Sequence, residues 1–122
     1  MKKILLVEDD PFIRDITSIK LTEHNLTVLT AQNGAEALEV MKNESPDAVL
    51  LDLDLPDVSG LEVLKAVRSS ETQKNTPVII FSNNDDPDTS KKANELGVDE
   101  FFVKATTNFE DLYKKLASLI GE

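Results

Sequence analysis

Short apolar runs punctuate the chain at Ile4-Leu5-Leu6-Val7, Ala48-Val49-Leu50-Leu51, Val78-Ile79-Ile80-Phe81 and Phe101-Phe102-Val103. Runs of this length without polar alternation predict strands buried on both faces. Leu26-Thr27-Val28-Leu29-Thr30-Ala31 alternates apolar and polar positions instead, which predicts a strand at a sheet edge with one side nearer to solvent. Between these segments apolar residues recur at helical spacing, as at Ile13, Ile16, Ile19 and Leu21, and at Leu61, Val63, Leu64 and Val67. Helix start signals agree with that spacing. Asp10-Pro11 and Asp86-Pro87 each place an Asp N-cap ahead of a proline at the first helical position. Ser59 with Glu62, Thr107 with Glu110 and, more weakly, Asn33 with Glu36 are spaced as capping boxes, and Gly97 supplies a stop for the helix that begins at Pro87. Strand and helix therefore alternate five times. Such alternation requires a parallel sheet, because each right-handed crossover consumes a helix's length of chain. The expected fold is a doubly wound α/β sandwich, in which ligands bind just beyond the carboxyl ends of the strands.

Composition narrows the chemistry. With 122 residues, 40% hydrophobic and 30% charged, the chain is one domain's worth and can bury a real core. Thirteen Lys and Arg against 23 Asp and Glu leave a net charge of −10, which opposes nucleic-acid phosphates and anionic membranes and leaves cations and basic protein surfaces as partners. There is no cysteine and only one histidine, His24, so disulfides, thiolate metal sites and multi-histidine sites are excluded. Carboxylates, hydroxyls and lysine remain. Met1-Lys2-Lys3 followed by only four apolar residues is too short for a signal peptide, and no apolar stretch approaches the roughly 18 residues of a membrane helix. A cytoplasmic location is expected.

The strand ends carry the informative residues. Glu8-Asp9-Asp10 follows the first run, Asp52-Leu53-Asp54 the second, Ser82-Asn83-Asn84 the third and Lys104 the fourth. Two carboxylates about 4 Å apart repel by roughly 4 kcal/mol at an effective dielectric near 20, so converging acids call for a cation. Lys104 supplies one charge. An oxygen-only ligand set points to a hard divalent ion, Mg2+ first, with waters completing an octahedron. Carboxylate, divalent ion, hydroxyl and lysine together are equipment for receiving a phosphoryl group, the Asp attacking to form an acyl phosphate while the positive charges offset the transferring oxygens. No Gly-x-x-x-x-Gly-Lys-[Ser/Thr] loop and no Gly-x-Gly-x-x-Gly are present, so nucleotide-binding readings lose their signature. Asp10 reads as a cap rather than a ligand, the acids of Asp85-Asp86-Pro87-Asp88 as complements to a helix dipole, and His24 as a surface residue at a helix end.

From Lys3 to about Ile120 the sequence resembles the receiver domains of bacterial response regulators. Val7-Glu8-Asp9-Asp10-Pro11 is similar to the family's acidic-pair motif, Leu50-Leu51-Asp52-Leu53-Asp54-Leu55-Pro56 with Gly60 to its phosphoacceptor motif, Ile80-Phe81-Ser82 to its Ser/Thr motif and Phe101-Phe102-Val103-Lys104 to its lysine motif. The resemblance implies a flavodoxin-like (β/α)5 fold of strand order 2-1-3-4-5, with residues 1–122 forming a single receiver domain. It implies Asp52 as phosphoacceptor, Asp9 as a direct Mg2+ ligand, Glu8 as a ligand through water, and Asp54 as a ligand through its backbone carbonyl, with Mn2+ an alternative ion. Ser82 and Lys104 would bind the phosphoryl oxygens, and Phe101 holds the aromatic switch position. The implied donor is a phosphohistidine on a sensor histidine kinase or a histidine phosphotransfer protein. The implied output is a downstream protein, read through the fourth helix, last strand and fifth helix. Beyond its own phosphorylation and dephosphorylation, no enzyme activity is expected.

Two positions depart from the family's pattern. Asn83 stands where Ala or Gly is usual, and Ala105 where proline is usual, often after a cis bond. Without proline the Lys104–Ala105 bond is expected to be trans, since cis would cost about 3 kcal/mol. Two other readings compete. Asp52-Leu53-Asp54 also resembles the Asp-x-Asp signature of haloacid-dehalogenase-type phosphohydrolases, with Asp54 as general acid, although it falls mid-chain and leaves no room for a cap domain. A flavin binder on the same fold is opposed by Glu8-Asp9-Asp10, which would repel the cofactor's phosphate. Because the chain stops after the fifth helix, it reads as either a stand-alone regulator or an excised module.

Overall fold

The structure is a computed structural model that describes residues 1–122. Its order is β1 (Lys3–Val7), α1 (Pro11–Glu23), β2 (Thr27–Ala31), α2 (Gly34–Glu44), β3 (Ala48–Leu51), α3 (Gly60–Ser69), β4 (Val78–Ser82), α4 (Pro87–Glu95), β5 (Glu100–Val103) and α5 (Phe109–Ile120), with a short 3-10 turn over Lys104–Thr106. All strands are parallel, in the order β2-β1-β3-β4-β5. The sequence-derived fold and strand order hold. Val7 lies beside Leu51, and Ser82 beside Val103, so the residues that follow β1, β3, β4 and β5 emerge along one edge.

Alternation along the strands feeds two cores. Leu5, Val7, Val49, Leu51 and Ile80 face α2, α3 and α4, where they meet Ala37, Met41, Val63, Leu64 and Ala93. Ile4, Leu6, Leu50 and Ile79 face α1 and α5, meeting Leu21, Leu112 and Leu116. A strand covered on both sides has no polar face, which is why β1, β3 and β4 read as unbroken apolar runs.

The caps follow the sequence with two changes. Asp10 Oδ1 accepts from Phe12 N and Ile13 N at 2.9 and 3.2 Å, Asp86 from Asp88 N at 3.1 Å and Asn33 from Glu36 N at 2.8 Å. Gly97, at φ +84°, follows the end of α4 as expected. At α5, however, the cap is Asn108, which accepts from Asp111 N at 2.8 Å, one residue beyond the expected Thr107–Glu110 box. Thr107 instead follows the 3-10 turn over Lys104–Thr106 as its C-terminal cap. Ser59 makes half a box, its Oγ accepting from Leu61 N at 3.2 Å.

One burial expectation fails. The Phe101–Val103 strand is not buried on both faces: β5 is the edge strand opposite β2, and all four of its residues are only partly covered. In α1 it is Thr17 and Leu21 that face the core, while Phe12 (71% exposed), Ile16 and Ile19 (61%) lie outward. Helical spacing counts residues on one face but does not say which face the sheet covers.

Candidate phosphoacceptor site

The site begins where β1 and β3 run out of partners. Glu8 N donates to Ala31 O and Asp52 N to Val7 O, so the ladder carries both acids to its last rung before the chain turns away. Glu8 is 2% exposed and Asp52 6%, whereas Asp9 lies open to solvent. One carboxylate oxygen from each of Glu8, Asp9 and Asp52 lies within 4.8 Å of the others. From the turn that follows β5, Lys104 reaches back across the sheet. Its Nζ donates to Asp52 Oδ2 at 3.0 Å and to Glu8 Oε1, bridging the two buried acids.

Local hydrogen bonds fix the orientation of each acid. Glu8 Oε2 accepts from Asp10 N at 3.2 Å, and Asp52 Oδ1 from Asp54 N at 3.3 Å. Asp10 itself is occupied as the cap of α1, as its sequence context predicts. Burial raises the Glu8 pKa above its ordinary 4.5; the Lys104 hydrogen bond opposes that rise and the Asp52 charge adds to it. For Lys104 burial works against the charge, yet the Glu8 hydrogen bond and the Asp52 charge outweigh it and hold the ammonium above its ordinary 10.5.

Behind Asp52 the chain doubles back closely. Gly60 is obligatory there, because a Cβ would meet Asp52 O at 2.3 Å and Leu53 Cα at 2.8 Å. That close return sets up the loop from Leu53 to Ser59 and leaves the Asp54 carbonyl accepting no hydrogen bond within the chain. The donor set fits a hard cation: three clustered carboxylates in a cleft of about 280 Å³ whose lining includes Glu8, Asp9, Asp52, Asp54, Asn83 and Lys104.

Ser82 ends β4 fully buried, its Oγ accepting from Asn84 N at 3.2 Å, so it stands behind the cleft wall rather than in it. Phe101 sits half-buried on β5 beside Ile80 and packs against the core under α4. No peptide bond is cis, so Lys104–Ala105 is trans as expected. His24 caps the end of α1, exposed, and stacks on Tyr113 at 3.8 Å.

One residue of consequence escaped the sequence reading. Asp57, at the tip of the loop after Asp52, accepts from Gly34 N and Ala35 N at 2.8 and 2.9 Å and from Val58 N at 2.8 Å. It thereby caps α2 from another part of the chain. Those backbone donors, Gly34 first, hold its carboxyl below the usual 3.8. The signal that could have found it is the surplus of acids in Asp52-Leu53-Asp54-Leu55-Pro56-Asp57, three where the site needs two.

A model of the response regulator receiver domain matches residues 4–117. The transcriptional regulatory protein KdpE of Mycobacterium tuberculosis is 38% identical over 104 residues, covering 85% of this chain and 45% of that protein. The CAI-1 autoinducer sensor kinase/phosphatase CqsS of Vibrio cholerae is 36% identical over 104 residues, 84% of this chain and 15% of its own length. The chain thus spans less than half the length of either. Among solved structures, the response regulator TrrA of Thermotoga maritima in complex with Mg2+-BeF superposes with a TM-score of 0.86 at 34% identity, covering 98% of this chain and 99% of that one. Chemotaxis regulator CheY4 of Vibrio cholerae gives 0.88 at 31% identity, with 98% of each chain covered. The phosphohydrolase and flavin readings find no support in these likenesses. Since the match runs from Ile4 to Ala117 and takes in all four strand-end motifs, the chain belongs to the receiver domains of two-component response regulators.

Proposed function

We propose that Asp52 is the phosphoacceptor of a single receiver domain formed by residues 1–122, and that it takes its phosphoryl group from a phosphohistidine on a sensor kinase or phosphotransfer protein. The observation that carries this reading is the bridge of Lys104 between Glu8 and Asp52, with Asp9 at the open side of the same cluster. An Asp52 oxygen attacks phosphorus, the bond to the donor imidazole nitrogen breaks, and an acyl phosphate remains. Asp9, Asp52, the Asp54 carbonyl and, through water, Glu8 would hold Mg2+, or Mn2+ in its place. The ion supplies charge against the phosphoryl oxygens. Lys104 stays on the phosphoryl side and Ser82 turns from Asn84 N toward it. That turn opens room for Phe101 to move inward and alters the α4–β5–α5 face offered to a downstream protein. Phe12, Ile16 and Ile19 leave an apolar stripe exposed on α1, which begins at the cleft, and this supports a donor docking along that helix. The net charge of −10 supports protein rather than nucleic acid as the direct partner. No helix is long and apolar enough to cross a membrane.

The test is incubation with acetyl phosphate or phosphoramidate and Mg2+, followed by mass spectrometry. The expected result is a phosphoryl mass gained on wild type, lost on base or hydroxylamine treatment as an acyl phosphate is, and absent both from Asp52→Asn and from chelator-treated protein. Undiminished labelling of Asp52→Asn would overturn the assignment.

A further inference from the structure

Asn83 and Ala105 depart from the family's pattern separately in the sequence, but they meet in the structure. Ala105 N donates to Asn83 Oδ1 at 2.9 Å. This is the one hydrogen bond between the loop that follows β4 and the turn that follows β5. Each partner stands one residue beyond a phosphoryl-binding candidate, Ser82 and Lys104 respectively. A proline at 105 would have no N–H to give, and an alanine or glycine at 83 would have no acceptor. The bond therefore requires both departures together.

We propose that Asn83 is a positioning residue: through Ala105 it ties the Ser82 loop to the Lys104 turn, so that the two move as one body around the phosphoryl group. This rests on the phosphoacceptor reading of Asp52. Lys104 is already seated on Asp52 in the free protein, so its turn is a fixed reference. Ser82 is not seated. Its Oγ is held by Asn84 N within the same three-residue turn that carries Asn83. Tethering Asn83 to Ala105 limits how far that turn can drift from Lys104 and lowers the ordering cost when Ser82 engages a ligand. A shift of Ser82 is also passed directly to Ala105 and on toward α5, a route that a chain lacking this bond does not have.

The test uses the whole chain with Mg2+ and beryllofluoride as the phosphoryl mimic, in wild type, Asn83→Ala, Ala105→Pro and the double variant. Amide exchange at Ala105 in the free protein is expected to be slow in wild type and fast in Asn83→Ala. Beryllofluoride affinity is expected to fall about threefold to tenfold in either single variant, the worth of one hydrogen bond, with no further loss in the double variant. Mg2+ affinity is expected to stay within about twofold, because Asn83 is not among the clustered carboxylates; general loosening of the fold would weaken both. Beryllofluoride shifts at Thr106 and Thr107 should shrink in Asn83→Ala while those at Asp52 and Lys104 persist. Wild type that binds no beryllofluoride would overturn the phosphoacceptor reading itself. Wild-type binding with equal or tighter affinity in Asn83→Ala, or additive losses in the double variant, would overturn the tether alone.

Discussion

Along β1 and β3 every residue from Ile4 to Val7 and from Ala48 to Leu51 is at most 3% exposed, whereas β5 has no buried residue and α4 buries only Ala93. The central strands are packed on both faces, and interiors packed to that density deform little. Glu8 and Asp52 leave from this platform, so the charges that must converge are set by the least compliant part of the molecule. At the β5 edge, Phe101, Phe102 and Val103 are only partly covered, and the one buried side chain of α4 is the small Ala93. Side chains there can change position without opening a cavity in the core. The proposed function puts the chemistry on the rigid side and the response on the compliant side, with Lys104 crossing between them.

That contrast predicts that truncation hurts the two regions unequally. Leu50→Ala is expected to cost about 2–5 kcal/mol, whereas Phe102→Ala, a larger deletion at a half-covered position, is expected to cost only about 1–2 kcal/mol. Urea unfolding of both variants checks this, and equal losses would remove the distinction.

A smaller effect concerns the acids themselves. Asp52→Asn removes two repulsions, from Glu8 and Asp9, against one attraction, to Lys104. In chelator the variant is therefore expected to be about 1 kcal/mol more stable than wild type. Mg2+ should reverse the order: at 100 times its dissociation constant it adds about 2.7 kcal/mol to the protein that binds it, and the variant has lost a ligand charge. Thermal melts in chelator and along a Mg2+ series measure both signs. A variant less stable in chelator would contradict the converging site.

The smallest effect tests how the loop after Asp52 is held. Asp57→Ala should lower the melting temperature at neutral pH, since Gly34 N and Ala35 N lose their acceptor. The Asp57 pKa is lowered on folding, so its contribution is present above the unfolded value near 3.8 and is lost as pH falls through the lower folded value. The gap in melting temperature between wild type and variant should close toward acid pH. A gap that persists unchanged at low pH would show that the carboxylate charge is not what α2 uses.

The legible and illegible parts of the sequence divide along the same lines. Ile4–Val7 and Ala48–Leu51 announced themselves because strands covered on both sides leave no polar position, and Glu8, Asp9 and Asp52 stood out because nothing structural places acids at the ends of such strands. Phe101–Val103 looked the same and is not, since composition does not say which strand is last in the sheet. Asp57 and the Asn83–Ala105 bond were hidden for another reason. Each joins residues far apart in the chain, 23 and 22 positions respectively, and no local pattern encodes a partner at that distance.

The central claim is that loading the rigid acidic centre changes the compliant edge, and amide and side-chain NMR spectra with and without Mg2+-beryllofluoride test it most directly. Shifts are expected at Asp52 and Lys104 and, beyond contact distance, at Ala93, Phe101 and Phe102, while Leu5, Val49 and the residues of α2 stay still. Binding that perturbs Glu8, Asp9 and Asp52 but leaves Phe101 and Ala93 unmoved would contradict it.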